Sequence, residues 1–195
     1  MKRDIILAGV GGQGILSIAA TIGMAAVKKG LFLKQSEVHG MSQRGGDVSS
    51  HLRLSDNEIF SDLITKGKAD IIISVEPMES LRYLPMLAQD GWIVTNTHPF
   101  INIDNYPDKA VIMKEIESQK QFVALDADKI AADLGSPKSA NMVILGAASP
   151  FLMMDYSLLE DGIRTIFKNK GEKIIEQNLL ALKTGREFAE KNNKI

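Results

Sequence analysis

The amino-acid sequence predicts an α/β fold of the doubly wound, Rossmann-like kind: a mainly parallel sheet, a β-hairpin insertion and a helical C-terminal third. Three observations carry this. A short apolar run, Asp4–Ala8, passes through a glycine cluster into a helical pattern. Further apolar runs recur between helical stretches, as strands buried on both faces do. From Ala140 onward the apolar spacing is that of helices. The 195 residues suit one domain spanning 1–195.

Asp4–Ala8 reads as the first strand. After the glycines, Ile15, Ile18, Ala19, Ile22, Ala26 and Val27 recur at helical spacing. Lys28 and Lys29 complement the negative end of that helix's dipole, and Gly30 is placed to cap it. Leu31–Gln35 reads as a second strand, and Ser36–Gly46 as a polar loop. Val48, Ser50, Leu52 and Leu54 alternate with polar neighbours, predicting a half-exposed strand. Asp56 and Asn57 supply turn chemistry, so Ile59–Leu63 is expected to return as its hairpin partner.

Ala69–Val75 is the strongest buried strand. Met78–Gln89 reads as a helix closed by Gly91, followed by a strand at Trp92–Thr95. Val111–Met113 and Phe122–Leu125 are expected strands, the second leading into an Asp126-capped helix that ends near Gly135. Ala140–Leu152 is rich in small residues, suiting a tightly packed helix that Pro150 kinks or ends. Ser157 with Glu160 forms a capping-box signature for a helix to about Lys168, and Glu172–Asn192 is a final amphipathic helix.

Composition excludes several function classes. A net charge of −1 gives no global reason to bind nucleic acid or an anionic membrane. With no cysteine, the chain cannot hold a thiolate-ligated iron–sulfur cluster, and the absence fits a cytoplasmic protein. Ile5–Val27 carries no charge, but its glycines interrupt the run where a membrane helix must be continuous. His39, His51 and His98 are scattered without metal-ligand spacing, so no metal site is expected.

Gly9, Gly11, Gly12, Gln13 and Gly14 lie between a predicted strand and a predicted helix, the context of a dinucleotide-type fingerprint. Free amides at the helix start can hold a phosphate or carboxylate. Alternatively, the glycines only shape the turn. An NAD(P)-dependent oxidoreductase also needs an acidic residue about 20 residues further on to grip the ribose, and Glu37 is the candidate.

The second candidate segment follows the second strand. His39, Gly40, Gln43, Arg44, Gly45 and Gly46 open at the same carboxyl edge of a parallel sheet, where ligands bind. Arg44 is suited to clamp a carboxylate or phosphate bidentately, or to form a structural salt bridge. The pair GVGGQG and SEVHGMSQRGG closely resembles the gamma-type domain of the pyruvate:ferredoxin oxidoreductase superfamily, and the HGMSQRGG form looks most like its indolepyruvate-type small subunits. Glu76-Pro77 and the Ala140-Asn141-Met142 helix start also fit.

The resemblance implies a subunit that is inactive alone. Its large partner would carry thiamine diphosphate, Mg and [4Fe-4S] clusters, and would convert an arylpyruvate and coenzyme A to an aryl-acetyl-CoA while reducing ferredoxin. This chain would hold no cofactor and contribute no catalytic residue. Its two loops would form a wall near substrate or coenzyme A. Pyruvate, branched-chain 2-oxoacids and 2-oxoglutarate are alternative substrates of the same class. A free-standing NAD(P)-binding oxidoreductase and a purely structural docking subunit are the rival classes.

Overall fold

A computed structural model describes residues 1–40, 46–101 and 103–193. Six strands form one sheet: β1 (Lys2–Val10), β2 (Phe32–His39), β3 (Asp47–Ser55), β4 (Ala69–Ser74), β5 (Leu87–Asn96) and β6 (Phe122–Leu125), in the order β2-β3-β1-β4-β5-β6. β1, β4, β5 and β6 run parallel, and β3 lies antiparallel between β1 and β2. The helices are α1 (Ile15–Lys28), α2 (Pro77–Arg82), α3 (Lys109–Glu117), α4 (Ala127–Asp133), α5 (Ala140–Ala148), α6 (Tyr156–Phe167) and α7 (Glu172–Asn193). The mainly parallel, helix-flanked sheet and helical last third are those expected from the sequence.

Both faces of the sheet are covered, which is why its central strands are apolar without alternation. Ile5, Leu7, Ile71, Ile73 and Val94 join the core formed with α1, α5, α6 and α7, while Ile6, Ile72 and Ile64 pack on the opposite face beside Tyr83 and Met86. Full burial of each large aliphatic side chain contributes roughly 1.5–3 kcal/mol relative to exposure. α5 is buried from Asn141 to Ala148 and packs against α7, so the small-residue helix is core.

Several local expectations are corrected. Ile59–Leu63 forms no strand, because β3 already has β2 on one edge and β1 on the other. The hairpin is β2–β3, and β2 runs on to His39, so Ser36–His39 is strand. The segment after β3 is strapped to it: the Arg53 guanidinium donates to the Ser61 and Leu63 carbonyls, and His51 Nδ1 accepts from Ile64 N–H at 2.9 Å.

The Met78–Gln89 helix is only α2 and a 3-10 turn, since Pro85 lacks the N–H that would continue it. β5 starts at Leu87 and contains Gly91. Val111–Met113 belongs to α3, whose buried stripe is Ile112 and Ile116 and whose start Asp108 caps by accepting from Ala110 N–H. Ser157 and Glu160 form no capping box. α6 begins at Tyr156, which places Ser157 inside the helix, and the Asp155 carboxylate at its start lies 3.5 Å from Lys29. Asp126 caps α4 as expected, and α5 stops before the turn containing Pro150.

Candidate functional site

The carboxyl ends of β1, β2, β4, β5 and β6 lie at one edge of the sheet, where β3 begins. Register sets the two predicted loops side by side there. Gly9 pairs with Val48, and Val48 pairs with His39 on its other side. Gly11 N–H donates to the Gly46 carbonyl at 2.9 Å, and Gly40 N–H donates to the Asp47 carbonyl at 2.8 Å. The structure thus brings together Gly9, Gly11, Gly12, Gln13, Gly14, Gly40, Gly46 and the backbone of His39. Gln43, Arg44 and Gly45 lie outside the described residues.

The glycine loop is locked from within. Gln13 N–H donates to the Val10 carbonyl at 3.2 Å, and Val10 N–H returns a bond to Gln13 Oε1 at 2.8 Å. Gly14, the residue before α1, has φ of 82°, a left-handed conformation that disfavours any Cβ. Its carbonyl accepts from Asn141 Nδ2 at 3.1 Å, which ties the start of α1 to the start of α5. That bond joins residues 127 positions apart, so no local pattern in the sequence announces it.

Glu76 and Pro77 begin α2 at the same edge. The buried Glu76 carboxylate accepts from Glu79 N–H at 2.8 Å, from Phe100 N–H at 3.2 Å and from the Tyr106 hydroxyl. Burial, followed by this bond to a carboxylate, raises the Tyr106 phenol well above the usual tyrosine range. The carboxylate therefore anchors the segment after β5, which leaves Phe100, Ile101 and Ile103 exposed. Beside it, burial pushes the Glu79 carboxyl up, against the opposing pull of Arg82, whose guanidinium donates to both of its oxygens.

The dinucleotide reading fails on topology. It needs the acidic residue on a strand beside β1, but β3 intervenes, and Glu37 sits within β2 opposite Ser50. Among the described residues, no group of three or more His, Asp or Glu side chains is arranged to hold a metal ion. Nor is any described helix long and apolar enough to cross a membrane. His51 is half-buried in β3 and serves as a hydrogen-bond acceptor, and His98 is exposed.

Behind the glycine loop, a cavity of about 680 Å³ opens between α1 and the α4–α7 helices. Its polar lining includes Ser136, Lys138, Asn141, Lys170 and Asn178, none of which forms a motif in the sequence. Only folding collects them, so sequence reasoning had no signal for them beyond the Ala140-Asn141-Met142 helix start.

Residues 4–188 match the family described as pyruvate ferredoxin/flavodoxin oxidoreductase. The chain is 34% identical to "Indolepyruvate oxidoreductase subunit IorB" of Thermococcus kodakarensis, over 94% of each chain. It is 36% identical to the protein of the same name in Methanothermobacter thermautotrophicus, over 95% of this chain and 96% of that one. It is also 27% identical, over the full length of both, to "2-oxoglutarate synthase subunit KorC" of Methanothermobacter marburgensis. Among solved structures, 2-oxoglutarate:ferredoxin oxidoreductase from Magnetococcus marinus, with 2-oxoglutarate, coenzyme A and succinyl-CoA bound, superposes with a TM-score of 0.78 at 23% identity. That match covers all of this chain and 32% of the longer one. The chain belongs to the pyruvate ferredoxin/flavodoxin oxidoreductase family, as a small subunit of the 2-oxoacid:ferredoxin oxidoreductase type.

Proposed function

We propose that this subunit completes the active site of an arylpyruvate-oxidising complex, of which indolepyruvate is the expected substrate, and performs none of the bond-breaking itself. The observation that carries the reading is the joining of the two loops at one sheet edge, through Gly11 and Gly46. Thiamine diphosphate, Mg and [4Fe-4S] clusters on the large subunit would supply decarboxylation and electron transfer to ferredoxin, with coenzyme A accepting the acyl group. This chain has no cysteine with which to ligate a cluster.

In this reading Gly9–Gly14 and His39–Gly46 form a wall over the partner's site. Backbone amides and the Arg44 guanidinium favour carboxylate or phosphate groups, and the covered site excludes bulk water. The aryl assignment rests on the likeness to the indolepyruvate-type subunits. The 2-oxoglutarate-type relative, of lower identity, makes 2-oxoglutarate the first alternative.

The test is purification of the native complex through this chain, followed by coenzyme-A-dependent dye reduction across several 2-oxoacids. Preferred turnover of indolepyruvate supports the proposal, and preference for 2-oxoglutarate or pyruvate overturns the substrate assignment. Arg44→Ala is expected to lower turnover of the assembled complex at least about tenfold, the scale for losing a charged hydrogen bond to a reacting ligand. Unchanged turnover with weakened assembly favours a docking role for the loop.

A further inference from the structure

The segment after β3 is a strap whose closure depends on the charge of one side chain. Residues Asn57 to Ile64 double back over β3 and are held to it at two points. The Arg53 guanidinium donates to the Ser61 and Leu63 carbonyls at 3.0 and 3.1 Å, and His51 Nδ1 accepts from Ile64 N–H at 2.9 Å. Ile64 is buried and packs with Ile6, Ala69 and Ile72, whereas Phe60 and Leu63 beside it are 86% and 56% exposed. A segment that is neither helix nor strand therefore seals an apolar cluster of the sheet.

The two clamps differ in chemistry. Arginine keeps its charge throughout the pH range of folded proteins, so the Arg53 bonds are constant. An imidazole nitrogen accepts a hydrogen bond only while it is unprotonated. In the cation both ring nitrogens carry hydrogen, and the Ile64 N–H then faces a second donor. Leaving a backbone N–H beside a buried side chain without its partner costs more than forming the bond contributes.

Burial holds His51 below its ordinary value of 6.5, and the charges around it divide. Asp62, in the strap itself, favours the cation, but it is exposed, where an ion pair contributes little. Arg53 on β3 opposes the cation. Asp4 on β1 favours it, yet that carboxylate is already bound by Arg53 and by Lys2 at 2.9 Å. On β2, Ser36 stands opposite His51, and Lys34, opposite Arg53, is the next residue on that face. Tyr83, which follows α2, packs on the same apolar cluster, and burial raises its phenol, so it carries no charge below neutral pH. The attraction of Asp62 therefore does not offset the bond lost at Ile64.

We propose that His51 is a pH-operated latch: its neutral imidazole holds the strap closed, and its protonation frees residues 57–64 from β3 while the sheet stays folded. The latch is closed at neutral pH and opens as pH falls through the folded value of His51, which lies below 6.5. The inference goes beyond the active-site wall proposed above and uses none of its residues.

The test follows the isotopically labelled full chain by NMR from about pH 7.5 to about pH 5, a range that spans histidine titration. The Ser61, Leu63 and Ile64 amides should move together with the His51 ring, while the Leu7 and Ile73 amides of β1 and β4 hold their positions. His51→Asn keeps an acceptor and cannot titrate, so it should abolish the transition. His51→Lys is a permanent donor and should open the strap at neutral pH. Chymotrypsin should then cut after Phe60 or Leu63 about tenfold faster than in the parent, the scale of one lost backbone hydrogen bond. An Ile64 amide that ignores the His51 titration overturns the proposal, as does a transition that persists in His51→Asn. Loss of the Leu7 and Ile73 amides along with Ile64 also overturns it, since that is global unfolding, and so does an unchanged cleavage rate in folded His51→Lys. Should His51→Lys fail to fold, the comparison of the parent with His51→Asn decides alone. Turnover of the complex plays no part, so this proposal and the active-site reading fail separately.

Discussion

Gly185→Ala tests how α7 is seated. An added Cβ at Gly185 would lie 1.9 Å from the Val143 carbonyl oxygen, 2.8 Å from its carbon and 3.0 Å from Ala147 N, all backbone atoms of α5. No rotamer change relieves a clash with backbone. Reaching an ordinary contact of 3.4 Å requires the helices to part by about 1.5 Å. A gap of that size forfeits much of the dispersion energy of the side chains between them, including Met142, Ala181 and Leu182.

Overpacking costs about 1–3 kcal/mol where side chains can adjust, so a rigid clash belongs at or above about 3. Alanine's better helix propensity returns about 1 kcal/mol, leaving a net loss of about 2. For a chain of this size that lowers the melting temperature by about 4–8 °C. Gly23→Ala, within α1, is the control, because beyond the helix's own backbone its Cβ would meet only Leu33 Cδ1 of β2, at 3.5 Å. It should be neutral or stabilising by up to about 1 kcal/mol. Thermal denaturation followed by circular dichroism reads both. A Gly185→Ala melt within about 1 °C of the parent, or an equal fall in Gly23→Ala, refutes the account of the α5–α7 contact.

Three further outcomes are expected. Arg53→Ala should cost about 2 kcal/mol in urea unfolding, because the Asp4 carboxylate, 1% exposed, loses the bonds from Arg53 Nε at 2.8 Å and Nη2 at 3.2 Å and keeps Lys2 Nζ at 2.9 Å as its counter-charge, a partly stranded charge. The double substitution Asp4→Asn/Arg53→Met should recover a large part of that loss, and no recovery would count against the stranded charge as its cause. His51 is held below its usual range chiefly by burial, with Arg53 adding to the effect and Asp62 and Asp4 opposing it, and its neutral Nδ1 accepts from Ile64 N–H. The unfolded chain therefore binds the proton more readily. Stability from this group is complete above the unfolded value near 6.5 and is lost as pH falls through the lower folded value. His51→Asn, which cannot titrate, should flatten that part of the stability–pH curve, and an unchanged curve would exclude His51. Gly14→Ala places a side chain at φ of 82° and 2.5 Å from Asn141 Nδ2. A loss of about 1–2 kcal/mol is expected in urea unfolding, and an unaltered midpoint would show that the loop relaxes freely.

Local chemistry made much of this protein legible from its sequence. The apolar runs Ile5–Ala8 and Ile71–Ile73 can be buried on both faces only in a covered sheet, and the glycines between Ala8 and Ile15 place a turn there. Asp126 and Pro150 acted within one turn of themselves, as capping and helix-breaking residues do, so their effects were read correctly. The two loops were legible as motifs for the same reason.

Tertiary structure decided what depends on partners distant in the chain. β3 could be recognised as a strand, but its place between β2 and β1 was set by edge pairing, which removed the expected partner at Ile59–Leu63 and separated Glu37 from the glycine loop. Val111–Met113 is apolar enough for a strand, yet Asp108 and the Ile112–Ile116 stripe made it helical. The cavity is the extreme case. Ser136, Lys138, Lys170 and Asn178 carry no meaning as neighbours in the sequence, and the cavity they line opens only where packing sets α1, α5 and α7 around one space. Helix and strand formation answer to short-range spacing. Sheet order and binding sites answer to which surfaces meet, a long-range outcome of burial that no local pattern encodes.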